Sequence, residues 1–168
     1  AAPQVPRWLN PKADGLHIVH HDAILETRFL PTFNSFAILS ALYRLEGVAE
    51  RFIYVEDDML FGRPATVADF LTEDGRMRLF PRLRFAQPAP DMDRAQLSPW
   101  NRSLAYSNAL LDSAFGARQR REINHVPLMI DRSWWQEMCE RWAADFEHTR
   151  ASRFRGSHNV VPEYLYPW

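Results

Sequence analysis

The 168-residue sequence predicts an α/β layer fold, and three observations carry the prediction. Short β-prone runs alternate with stretches of helical periodicity, the order that stacks helices against a sheet. Phe52 to Val55 has the length and side-chain types of a buried parallel strand. The composition is globular, with 46% hydrophobic and 24% charged residues. That is enough for one real core in a chain too short for two ordinary domains.

Ile18-Val19-His20-His21-Asp22 reads as a short strand running into polar residues. From Thr32 to Leu45 the pattern is helical, with Ile38, Leu42 and Leu45 on one face and Gly47 as terminator. Thr66 caps a helix over 67–71, and Asp74-Gly75 turns the chain after it. Arg76 to Phe85 alternates partly and predicts one or two strands. Pro88, Pro90 and Pro99 make 86–102 an irregular loop. Leu104 to Phe115 returns to helix, stopped by Gly116. Ser133 and Gln136 form a capping-box pattern, opening a helix whose Trp134, Trp135 and Trp142 read as core. A Rossmann-like sheet would open with a strand and a ligand-binding turn ahead of Gln4. Residues 1–168 therefore read as one domain, incomplete at its N-terminus.

Bulk properties exclude several classes. The formal net charge of -1 argues against a general nucleic-acid or anionic-membrane binder. No apolar run reaches transmembrane length, and the first residues carry no signal-peptide pattern. Cys139 is the single cysteine, so no internal disulfide forms.

Glu56-Asp57-Asp58 follows the predicted strand directly and precedes Met59-Leu60-Phe61. Carboxylates between apolar runs are costly unless a positive partner meets them. At the carboxyl end of a central strand, Asp57 and Asp58 suit a divalent cation shared with a diphosphate. A solvated strand end or a turn cap before Gly62-Arg63-Pro64 explains them equally simply. His125, fixed by the nearby Pro127, suits a general base or a structural hydrogen bond. Arg153-Phe-Arg155-Gly-Ser-His158-Asn159 collects guanidinium and imidazole groups in a loop, either for phosphate oxygens or as a solvated edge. His20, His21 and Asp22 are possible metal ligands, but adjacent strand residues face opposite ways and do not share a site.

These segments together resemble the Stealth family of capsular polysaccharide phosphotransferases and lysosomal-enzyme N-acetylglucosamine-1-phosphotransferases. The resemblance rests on Gln4-Val-Pro-Arg-Trp-Leu9, Leu30-Pro-Thr-Phe-Asn-Ser35, Arg44-Leu-Glu-Gly47 and Arg51 through Gly62. It continues through Phe115-Gly116 and His125-Val-Pro-Leu-Met-Ile-Asp-Arg132, which resemble the family's third block, to Arg155 and Asn159, which resemble its fourth. The family's opening block is not present.

The resemblance implies a nucleotide-sugar-transferase-like layered sheet. It also implies transfer of a sugar 1-phosphate from a UDP-sugar to a hydroxyl of a glycan or polysaccharide acceptor, releasing UMP. Asp57 and Asp58 would hold a divalent cation, Mg²⁺ or Mn²⁺. His125 would accept the hydroxyl proton, and Arg155 would stabilise charge on the transferred group. Asn34 and Ser35 would meet the donor or simply cap a helix, and Arg44, Arg63, His158 and Asn159 complete the substrate-binding set. Bacterial relatives imply a cytoplasmic enzyme, peripheral to the inner membrane. Departures are Glu56 where the family usually has Asn, Leu39 for Glu, Tyr43 for His, and Asn159 for Asp. A catalytically silent glycan- or nucleotide-sugar-binding relative and a glycosyltransferase releasing UDP are the competing expectations.

Overall fold

The computed structural model describes residues 5–86 and 97–168. Gln4 and positions 87–96 of the expected loop lie outside the described residues. The α/β character is present, but the strands pair differently from the expectation. Strand β1 (Arg51–Tyr54) runs antiparallel to β4 (Leu128–Asp131), and β2 (Pro81–Phe85) runs antiparallel to β3 (Arg121–Ile123). Among the described residues these make two separate two-stranded ribbons, and no parallel layered sheet forms. β1 is therefore not a buried parallel strand. Its residues alternate, with Arg51 and Ile53 exposed and Phe52 and Tyr54 half-buried, whereas β4 is buried throughout.

Among the described residues five α-helices accompany the ribbons: α1 (Ser35–Leu39), α2 (Pro99–Phe115), α3 (Arg132–Arg141), α4 (Ala143–Ala151) and α5 (Pro162–Leu165). The long helix expected over 32–45 is cut to α1 and a 3-10 turn at Leu42–Arg44. Ser40 is the cause. Its hydroxyl donates back to the Ala37 carbonyl (2.8 Å) and accepts from Arg150 Nε (2.9 Å), competing with the helical ladder. The freed carbonyls of Leu39 and Ser40 accept from Trp135 Nε1 (3.1 Å) and the Cys139 thiol (3.4 Å) of α3. Burial pushes that thiol up to about 12, so it behaves as a small core residue.

Elsewhere the sequence reading needs smaller corrections. Residues 18–20 form no strand, and His21–Ala23 is a 3-10 turn. The helix over 67–71 is another such turn, Val67–Asp69, closed by a capping box between Thr66 and Asp69. α2 begins at Pro99 rather than after 102, because Ser98 caps it and Pro99 fits the first helical position. α3 is capped by Asp131, not Ser133. The Asp131 carboxylate accepts from the Ser133 hydroxyl (2.7 Å) and the Trp134 N–H (3.4 Å), and pairs with Arg51 Nε (3.0 Å). Trp135 is fully buried, but Trp134 is half exposed.

The main core gathers Phe36, Leu39, Leu104, Leu111, Ile130, Trp135 and Phe146 from the helices and β4, and Val160 from the segment before α5. Beside it lies a buried amide network. Asn34 caps α1 by accepting from the Phe36 N–H, and its Nδ2 donates to Asn159 Oδ1 (3.0 Å), Thr149 O (3.2 Å) and Ser152 O (3.1 Å). Asn159 accepts in turn from the Gly156 N–H (2.7 Å) and donates to Ser152 Oγ (2.9 Å). Asn34→Ala strands these partners in a dry interior, so it is expected to lower unfolding free energy by about 2–3 kcal/mol in urea titration.

Candidate functional site

The antiparallel register decides which side chains meet. Tyr54 stands opposite Leu128, so the chain leaving β1 runs beside the chain entering β4. A turn over 56–59, closed by the Met59 N–H on the Glu56 carbonyl (3.1 Å), folds the acids back toward that incoming chain. His125 Nε2 lies 3.1 and 3.3 Å from the two oxygens of Asp58, a residue 67 positions away, and 3.8 Å from Glu56 Oε2. The expectation of acids hemmed by buried apolar residues fails here, since Leu60 is 92% exposed and Phe61 half exposed.

These three residues line a cleft of about 420 Å³. Its other wall comes from α2 and the segment after α4, with Trp100, Leu104, Arg155, Val161 and Glu163. The Arg155 guanidinium donates to Ser35 Oγ and lies 4.6 Å from the Phe36 ring centroid and 5.9 Å from that of Trp100. A cation stacked on rings keeps much of its donor edge free for an anion. Tyr54 stays a phenol, because burial and then the Glu56 carboxylate push its pKa up.

The sequence-named residues divide sharply. Asp58, His125 and Arg155 share the cleft, with Ser35 supporting Arg155. Asp57 does not join them. It is exposed and lines no part of the cleft, and the ligand-spaced group is Glu56, Asp58 and His125 instead. Asn34 and Asn159 are fully buried and bond each other, so they position the loop and present nothing to a ligand. Arg44 is held by Tyr43, the Ile24 carbonyl and Glu26 outside the cleft. Arg63 is bound to Asp69, which it holds down at about 2, beside an adjoining apolar recess lined by Leu60, Phe61 and Phe70. His158 is exposed, edge-on to Tyr106 and near Ser157, and lines no part of the cleft.

A cation would find usable donors here. One atom each from Glu56, Asp58 and His125 lie within 4.8 Å of one another, close enough for three positions of one coordination sphere. Two carboxylates with an imidazole suit Mn²⁺ better than an all-oxygen Mg²⁺ shell.

Glu163 is the residue the sequence reading missed. It sits in α5 on the cleft wall, and its Oε2 has no hydrogen-bond partner. Burial, with the Glu56 carboxylate adding to it, pushes the Glu163 carboxyl up to about 7, while a bond from its own backbone N–H, then Arg155 and His125, partly offset this. Only the preceding Pro162, which starts a helix, hinted that the side chain has a fixed direction.

The cleft thus combines carboxylate, imidazole and guanidinium groups, and comparison with known proteins gives the family in which they occur. Stealth protein CR2, conserved region 2, matches residues 1–79, and Stealth protein CR3, conserved region 3, matches 124–168. The chain belongs to the Stealth family. Arg155 and Asn159 thus fall inside its third region, not a fourth. An exopolysaccharide phosphotransferase of Nocardia farcinica is 36% identical over 96% of this chain and 32% of its own length. One from Streptomyces coelicolor is 36% identical over 95% and 29%. The capsular polysaccharide phosphotransferase LcbA of Aeromonas hydrophila is 28% identical over 98% and 45%. The chain therefore spans less than half the length of these relatives.

The Glu163 carboxyl gives a pH signature. With a folded value about 7 against an ordinary 4.5, the folded state holds the extra proton between those values. Stability is then full below pH 4.5 and falls as pH rises through 7. Glu163→Gln is expected to match the natural protein at pH 4 and exceed it at pH 8 by on the order of 3 kcal/mol, read by denaturant melts at both pH values.

Proposed function

We propose that this chain carries the acceptor-activating part of a sugar-phosphate transferase. It would transfer a sugar 1-phosphate from a UDP-sugar to a hydroxyl of a glycan acceptor, releasing UMP, in capsular or exopolysaccharide synthesis. One observation carries the reading: His125 is bonded to Asp58 beside Glu56 in the same cleft as a ring-stacked Arg155. Phosphoryl transfer asks for those parts, namely a proton acceptor, negative groups for a cation, and a fixed positive charge at the moving phosphoryl.

With Nε2–H donated to Asp58, the other ring nitrogen of His125 is the base that takes the acceptor hydroxyl's proton. Asp58 fixes the ring and its tautomer, and stabilises the imidazolium that forms. Arg155 meets the phosphoryl oxygens, its direction set by Ser35 and the rings beneath it. Glu56 and Asp58 would hold a divalent cation, Mg²⁺ or Mn²⁺, with His125 serving as base and not as a third ligand; when bound, the cation would neutralise diphosphate charge. A cytoplasmic position peripheral to the inner membrane belongs to this same proposal. No helix among the described residues is long and apolar enough to cross a membrane.

The released nucleotide tests the reaction class. Incubation with UDP-sugars, a polysaccharide acceptor and Mn²⁺ or Mg²⁺ is expected to yield UMP, and EDTA to stop it. UDP would mean glycosyl transfer, and saturable binding with neither product would mean a silent relative. Within the site, Asp58→Ala and His125→Ala should each lose about 10²-fold or more in kcat, and Arg155→Ala about 10³-fold. Asp57→Ala should stay within about threefold, because Asp57 lies outside the cleft. Natural rates in both Asp58→Ala and His125→Ala would refute the assigned chemistry.

A further inference from the structure

The polar groups on the cleft walls are mostly spoken for. Asp58 is joined to His125, Arg155 to Ser35, Glu122 to Arg82 and Arg84, and Asn124 to the Pro81 carbonyl. Glu163 Oε2 is the exception, a buried acceptor on the wall with no donor among the described residues. Arg102 Nε and Arg120 Nε are also unpartnered, but neither residue lines the cleft. A fold that leaves a buried carboxyl oxygen unbonded at a ligand-sized opening keeps it for a donor that arrives with the ligand.

Its position is rigid. The Val161 N–H before it donates to Ser107 Oγ (2.8 Å), and the Tyr164 hydroxyl after it donates to Asn108 Oδ1 (2.8 Å). Both partners are buried residues of α2, so the chain on either side of Glu163 is anchored. Nor does it belong with the cation ligands, since the ligand-spaced group stops at Glu56, Asp58 and His125. The same cleft is lined by Trp100, Leu104, Leu128 and Val161, apolar surface against which C–H bonds can rest. A lone acceptor set in such a surface matches an amphipathic sugar ring, with C–H faces and hydroxyl edges.

We propose that Glu163 is a specificity-determining residue that accepts a hydrogen bond from a non-reacting hydroxyl of the sugar bound in this cleft. The inference rests on the transferase reading and deepens it. A site built around such a bond rejects the analogue lacking the hydroxyl, because the acceptor is then left dry and unpaired.

The test compares UDP-sugars and glycan acceptors with analogues in which each hydroxyl in turn is replaced by hydrogen. In the natural protein, at least one deoxy analogue should lose about 10²-fold or more in kcat/KM. Glu163→Leu should collapse that ratio to under about 10, chiefly by losing the hydroxylated substrate, with Asp58 and His125 intact. Glu163→Gln keeps a carbonyl acceptor and should retain most of the discrimination, which guards against a misfolded Leu variant, as do thermal melts of both. An active natural protein whose ratios are the same in folded Glu163→Leu overturns this proposal alone. A natural protein that turns over no donor in the panel overturns the transferase reading, and this proposal with it.

Discussion

Antiparallel pairing of β1 with β4 is the constraint on which the site depends. Two strands running the same way would send Asp58 and His125 to opposite ends of the ribbon. Running oppositely, with Tyr54 facing Leu128, they deliver the end of one and the start of the other to one place. The register is held from the far end by the Arg51–Asp131 ion pair, where Asp131 also caps α3 and donates its N–H to the Tyr166 hydroxyl (2.8 Å). Burial pushes the Asp131 carboxyl up, but bonds from Ser133, Arg51 and Trp134 outweigh that and hold it below its ordinary value. A slip of one residue would turn Phe52 and Tyr54, the half-buried face of β1, outward and shift the acids relative to the imidazole.

The second wall is built by different means. Hydroxyls and amides of α2 hold the irregular segment after α4: Ser103 donates to the Gly156 carbonyl (2.9 Å), and Ser107 accepts from Val161. On the other side of Gly156 the Asn34–Asn159 pair ties the same segment to the start of α1. Arg155 and Glu163 leave this scaffold at defined angles. The contrast between network and cleft is informative. The amide network is fully bonded and dry, as a structural device should be, while the cleft keeps an unsatisfied oxygen.

The family departures acquire physical meaning in this frame. Glu56 adds a carboxylate to the ligand-spaced group, which does not include Asp57. Leu39 is buried, and its role is to pack and to offer its carbonyl to Trp135. Asn159 must accept from Gly156 and Asn34 while donating to Ser152, and an aspartate in its place could not donate.

By itself the sequence determined the helix and turn chemistry that short-range rules govern: the stop at Gly116, the Thr66 cap, and the family blocks that contain Asp58, His125 and Arg155. It also fixed which residue types could do chemistry. Tertiary structure alone decided strand direction, since a four-residue run reads the same in either sheet. It chose Glu56 over Asp57, because a turn's geometry selects which of three consecutive acids faces inward. It sent Asn34 and Asn159 into the interior, where each finds its partner more than a hundred residues away. And it made Glu163 a wall of the cleft, a role no local pattern encodes, because burial is a property of what the rest of the chain packs around a side chain.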